Sequence, residues 1–331
     1  MILEDGEKMG SSLKKQIESG RKDDELNLSG RPIELRSKDV VELRDFATID
    51  LSQTQLTELP STVNKLTRLQ CLRIDQNRLQ QLPEGIGDLC SLTELSARAN
   101  RIGVLPDSFS QLSSLTTLRL QRNSLFELDV LARLTALQRL QLGNNNLTDM
   151  GFVCRLRELT ELDLRHNRIV EIPRKIRRLT KLTVLILQSN KLNVIPTEIG
   201  ALSSLQRLIV WENWITDLPR EIGDLSELTM LSLSENHLNE IPSEIATLPR
   251  LTKLYLQHNH LKTLPDFSRL TALQTLELHD NKLTAIPTGV PSKARLTLYQ
   301  NPIPAASLRL VRSDSFIFTE SRSSDIVEEL I

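Results

Sequence analysis

Asparagine recurs along this chain at positions 77, 100, 123, 145, 167, 190, 213, 236, 259, 281 and 301, in steps mostly of 23 residues, with a few of 22 and a last one of 20. Each belongs to a segment of the pattern LxxLxLxxNxL, as in Leu205 to Ile215, LQRLIVWENWI, where valine and isoleucine stand in two of the leucine places. A fixed period of this length marks a stacked array of small identical units, so one elongated domain is expected where 331 residues would otherwise suggest about two. Inside each segment apolar and polar residues alternate, as at Leu185 and Leu187 or Leu254 and Leu256, which is the signature of a short strand with one buried face. The asparagine amide both donates and accepts, so a column of asparagines can satisfy the backbone groups of buried turns in neighbouring coils; its role is structural. Most units then continue as LPxxIxxL, for example Ile195-Pro196 through Ile199 to Leu202, where proline sets φ and two apolar anchors turn the chain back. No unit can bury its own leucines, and stacking on its neighbours does so.

The ends of the array are irregular. Arg31 holds the asparagine place in the stretch Leu26 to Ile33, and Thr54 holds it in Phe46 to Leu56, so these read as capping units. After Leu128 and Met150 the proline is missing, in units of 22 residues. The array closes at Asn301-Pro302-Ile303-Pro304, and Ala305 to Val311 reads as an amphipathic cap over the last leucines. The expected organisation is a flexible tail over 1–24, a repeat domain over 25–311, and an acidic, serine-rich tail over 312–331. In that last tail Arg312 precedes Ser315 by three residues, a pattern for a basophilic kinase, and Glu329-Leu330-Ile331 suits a pocket for free C-termini.

These units resemble the leucine-rich repeat family over roughly residues 26 to 304. Stretches such as LTELDLRHNRIVEIPRKI, Leu159 to Ile176, and LTMLSLSENHLNEIPSEI, Leu228 to Ile245, are similar to the Ras-group intracellular type. The resemblance implies an α/β solenoid of about twelve units, a curved arc with a parallel β-sheet on the concave face and short turns or helical segments on the convex face. It further implies a cytoplasmic scaffold or adaptor in signalling, with a Ras-family GTPase or a phosphatase as partner, and a monomer when free. The alternative is a substrate-recognition subunit of a ligase or kinase assembly, docked through a tail.

Composition narrows the function classes. Lysine plus arginine (41) nearly balances aspartate plus glutamate (42), so no overall field holds the chain on nucleic acid or an acidic membrane. Cys71, Cys90 and Cys154 are far apart and form no CxxC, which points away from a disulfide framework or a zinc site and toward reduced cytosolic thiols. There is no apolar run of membrane-spanning length, no signal-peptide core, and none of the phosphate-loop, dinucleotide, zincin or nucleophile-elbow motifs of enzymes. No catalysis and no cofactor are expected. His258 and Asp280 fall in one column of the array and His237 and His260 in another, but the sequence shows no second shell around them, so no metal is expected either.

Strands about 4.8 Å apart bring the variable positions of successive units into columns across the sheet. Two zones emerge. From the unit of Asn77 to that of Asn167 the exposed positions carry nine arginines (Arg73, Arg78, Arg98, Arg101, Arg119, Arg122, Arg139, Arg165, Arg168) against four acids (Asp75, Glu94, Glu161, Asp163), a local balance of +5. Farther along, Val184, Ile186, Ile209, Trp211, Trp214, Met230 and Tyr255 place apolar and aromatic side chains where polar ones are expected, and Trp211 and Trp214 are the chain's only two tryptophans. Tryptophan, tyrosine, methionine and arginine together have the composition of an interface hot spot. The expected partner-binding residues are therefore Arg73, Arg98, Arg119, Arg122, Arg139, Arg165, Ile186, Ile209, Trp211, Trp214, Met230 and Tyr255, an acidic partner meeting the arginines and anchoring on the tryptophans.

Overall fold

The computed structural model describes residues 17–19, 23–304 and 307. Most of both expected tails, the cap beyond Ser307, Ser315 and Glu329-Leu330-Ile331 lie outside the described residues. The chain divides into two compact units, residues 1–169 and 170–331.

The first unit holds seven parallel strands in sequence order: β1 (Glu25–Asn27), β2 (Thr48–Asp50), β3 (Cys71–Arg73), β4 (Glu94–Ser96), β5 (Thr117–Arg119), β6 (Arg139–Gln141) and β7 (Glu161–Asp163). A short helix, α1 (Ser37–Glu42), lies between β1 and β2, with the Asp39 carboxylate accepting from the Arg36 backbone N–H at its start. The second unit holds six more: β8 (Val184–Ile186), β9 (Arg207–Ile209), β10 (Met230–Ser232), β11 (Lys253–Tyr255), β12 (Thr275–Glu277) and β13 (Arg295–Thr297). Pairing runs leucine to leucine, Leu72 beside Leu95 beside Leu118 in the first unit and Leu208 beside Leu231 beside Leu254 in the second, so each leucine row is buried by its neighbours rather than by its own coil.

The asparagines do what their chemistry allows. Asn213 accepts from the Leu192 backbone N–H at 3.0 Å and donates to the carbonyls of Leu187 and Val210, both at 3.0 Å, tying one coil to the one before it. Thr54, in the asparagine place of a capping unit, is fully buried and manages one such bond, from its hydroxyl to Leu51 O at 2.7 Å. The residue ahead of every repeat asparagine, from Gln76 to Gln300, is left-handed, with φ between 51 and 58°. That conformation, unfavourable for most side chains, lets the chain reverse so that the asparagine points inward.

On the opposite side of the coils the expected helical segments are five-residue 3-10 turns, such as Glu84–Asp88 and Thr197–Ala201, entered from Pro83 and Pro196 with φ of −71° and −72°. Where proline is missing the turn still forms, over Asp129–Arg133 and Gly151–Arg155, but Leu128 and Met150 enter it at φ −141° and −130°. The shorter steps from β11 to β12 and from β12 to β13 carry no 3-10 turn. In the first of them buried Phe267 fills the space, and it donates its N–H to Thr288 O in the next. No helix among the described residues is long and apolar enough to cross a membrane.

Candidate functional site

In the second unit the apolar column is a packed row. Ile186, Ile209, Met230 and Tyr255 form one cluster, none more than 7% exposed, with Val184 and Trp211 lying partly buried against it. This corrects the expectation of a solvent-facing apolar patch: side chains this large on strands one ladder spacing apart cover each other, and Ile209 has no exposed surface. Trp211 contributes its ring to that packing, and its buried Nε1 has no hydrogen-bond partner among the described residues. Trp214 behaves differently. It follows Asn213 in the turn and stands 49% exposed, with the Lys191 ammonium 5.8 Å from its ring centroid.

Trp214 forms one wall of an open trough of about 800 Å³ along the turn edge, lined also by Ser189, Glu212, Glu235, His237, His258 and His260. Glu212, Glu235 and His258 occupy the left-handed position in successive coils, so a local backbone rule lines up their side chains. Glu212 accepts a short hydrogen bond from the Ser189 hydroxyl, and the His237 and His260 rings stack at 5.8 Å. The column placement of His237 beside His260 thus matches the sequence reading. The acids on the rim were missed, because a turn glutamate carries no signal of its own.

In the first unit the arginines are largely engaged with one another's neighbours. Arg119 and Arg73 flank Glu94 at 2.6 and 3.6 Å, Arg139 lies 4.0 Å from Glu161, and Arg165 pairs with Asp163 at 2.9 Å. The expected free cationic zone is therefore corrected to one where four of the six singled-out guanidiniums are committed across or along strands. Arg98 and Arg122 are exposed and carry no ion pair among the described residues.

At the far end of the second unit a polar cluster replaces the apolar row. Glu277, His279 and Thr297 are buried on the strand face, and Thr297 Oγ1 lies 3.2 Å from His279 Nδ1 while donating a short hydrogen bond to Glu277. His279 Nδ1 is also 3.6 Å from Glu277 Oε2, and its ring stacks on Tyr299 at 4.3 Å between centroids. Burial opposes ionisation of Glu277, yet hydrogen bonds from His279 and Thr297 and the charge of Arg295, 3.7 Å away, hold its carboxyl below the usual range. His258 and Asp280 adjoin this cluster with Nδ1 and Oδ2 3.2 Å apart.

The models of three repeat families match successive parts of the chain: a leucine-rich repeat region over residues 25–97 and 72–163, a leucine rich repeat over 157–209 and 203–261, and two-copy leucine rich repeats over 249–291. Among solved structures, a leucine-rich repeat protein of Leptospira interrogans is 31% identical, covers 87% of this chain and 87% of its own, and superposes with a TM-score of 0.64. A plant peptide hormone receptor, RGFR1, solved in complex with RGF2, is 29% identical with a TM-score of 0.75 over 84% of this chain, which spans 47% of the receptor chain. An internalin of Listeria monocytogenes, 23% identical over 90% of this chain and 87% of its own, shares the fold with a TM-score of 0.77. No curated protein matches the chain.

Proposed function

We propose that this chain, which belongs to the leucine-rich repeat family, is a non-catalytic adaptor that binds a protein or peptide segment, and that the trough walled by Trp214 takes part of that segment. The observation that carries the reading is Trp214 itself. A large aromatic ring held half in solvent beside a groove offers apolar surface that a partner can bury, and tryptophan is among the residue types that dominate interface energetics. Glu212 and Glu235 on the rim favour an apolar or cationic side chain in the partner, reversing at this site the acidic partner expected from the arginines. Arg98 and Arg122 in the other unit keep exposed guanidiniums for an acidic contact of their own. The plant receptor's complex with RGF2 supports a family member that takes a ligand of this kind. The similarity of the repeats to the Ras-group type puts a Ras-family GTPase or a phosphatase first among partners to try, in a cytoplasmic signalling complex.

The test is affinity purification with quantitative mass spectrometry on the wild type, Trp214→Ala, and Arg98→Glu with Arg122→Glu. Trp214→Ala is expected to lose the main partner by about tenfold or more, the loss typical of an anchor tryptophan. Retention of every wild-type partner by Trp214→Ala, with folding intact by circular dichroism, overturns the assignment of the trough.

A further inference from the structure

The geometry points to a divalent transition-metal site, of the kind that takes zinc, at His258, His279 and Asp280. One ligand atom from each lies within 4.8 Å of the other two. Two neighbouring columns create this meeting. His258 and Asp280 hold the left-handed turn position of adjacent coils, with φ of 56° and 53°, while His279 comes from the strand-face position just ahead of Asp280. The T-shaped contact of the two imidazoles, 5.1 Å between centroids, closes the third side.

The distances suit the ion. With bonds of about 2.0–2.1 Å, two ligands on a tetrahedral zinc stand roughly 3.3 Å apart. His258 Nδ1 and Asp280 Oδ2 are 3.2 Å apart. The widest pair therefore needs at most about 1.5 Å of closure to reach a tetrahedral edge. The 41%-exposed side chain of His258 has room to move that far.

Neighbouring side chains already hold two of these ligands in place. The Thr297 hydroxyl has one proton and gives it to Glu277, and the Leu278 N–H also points at that oxygen from 3.3 Å. In its 3.2 Å contact with Thr297, His279 Nδ1 is therefore the donor. That leaves Nε2 as the nitrogen available to a metal, and Glu277 behind Nδ1 completes a carboxylate–histidine arrangement of the kind that orients metal-bound imidazoles. Stacking on Tyr299 holds the ring plane. Asp280 is oriented as well: the Gln300 amide, with its nitrogen toward the carboxylate, donates to both oxygens at 2.7 and 3.0 Å. Two nitrogens and one oxygen are a borderline set that favours zinc over calcium or magnesium, and they leave one coordination position for water.

The experiment is equilibrium dialysis and calorimetry of the full chain with zinc chloride alone, followed by cobalt(II) substitution read by visible absorption. One zinc per chain is expected, with cobalt bands of tetrahedral intensity. His258→Ala and Asp280→Asn, both at exposed or half-exposed positions, should abolish the bands, and Glu277→Gln should weaken zinc by about tenfold or more. A His237→Ala, His260→Ala double variant should bind as the wild type does. Absence of zinc binding, unchanged binding by His258→Ala, or binding that disappears with His237 and His260 each overturns the site. Trp214 contributes no ligand, so loss of partner capture by Trp214→Ala leaves this result untouched, and Asp280→Asn, which lies outside the trough lining, tests the metal without altering the partner site.

Discussion

Asn213 and Trp214 are adjacent in sequence and opposite in consequence. The asparagine is 2% exposed and serves four backbone groups, the Leu192 N–H and the carbonyls of Leu187, Val210 and Trp211. Asn213→Ala leaves the buried Leu192 N–H without its acceptor and removes one of two asparagine donors from the carbonyls of Leu187 and Val210, and should cost about 1–3 kcal/mol, read as a shift of the guanidinium midpoint. Trp214→Ala removes a half-exposed ring and should move the same midpoint by less than about 0.5 kcal/mol. If the two variants lose stability equally, Trp214 is a packing residue and its place in a binding site fails. The asparagine's role was legible from its amide chemistry and period. The burial of Ile209 was not, because in the pattern it sits between two core leucines at a position that reads as exposed, and what hides it comes from strands 23 residues away on either side. Glu94 lies in the column of Cys71 and Thr117, while Arg73 and Arg119 both oppose Ser96, so their pairing is diagonal, one strand over and two residues apart, and reading straight columns could not show it. His279 was missed for a related reason: a search for metal ligands within single columns cannot find a ligand in the next column over.

At the scale of the element, one pair of consecutive 3-10 turns comes close enough at Gly87 to leave no room for a Cβ. A Cβ on Gly87, in the turn Glu84–Asp88, would lie 2.3 Å from Ser108 O in the following turn, whereas one on Gly103 meets nothing within 4 Å. Gly87→Ala should therefore destabilise by about 1–3 kcal/mol through forced separation of the two turns. Gly103→Ala should be neutral or stabilise by about 0.5 kcal/mol through a less flexible unfolded chain. Thermal melts of the pair separate these outcomes, and equal losses would mean that coil spacing is not what selects glycine. Proline at the turn entrance was legible as a φ constraint, and the turns after Leu128 and Met150 show that it favours this conformation without being required for it. Helix α1 left no comparable mark, since six residues hold less than two turns and its start rests on Asp39 rather than on a periodic face.

Over the whole chain the repeat period made the architecture legible before any coordinate, because only in-register stacking buries leucines spaced this way. The division into two compact units after Ile169 was not legible: it falls inside a repeat whose period is unbroken. Arrays of this kind contact mainly their sequence neighbours, so damage should stay local. Leu254→Ala opens a cavity in a fully buried row and should cost about 2–5 kcal/mol. Hydrogen exchange should then speed up across the coils around residues 230–277 while the amides of residues 48–141 keep their wild-type protection. A uniform loss of protection would instead mean that the chain opens as one cooperative block.

The left-handed turn position ahead of each asparagine has a broader consequence. Glutamine, alanine, arginine, asparagine, histidine, serine, glutamate and aspartate all occupy it in this one molecule, at nearly the same φ. The same shape appears at Gln53, ahead of Thr54, so it belongs to the coil itself and recurs with different side chains on display. The strip is consequently an alphabet with one rule: none of the letters seen there is branched at Cβ, and among these unbranched ones new chemistry can be written coil by coil along the edge while the scaffold beneath stays unrevised.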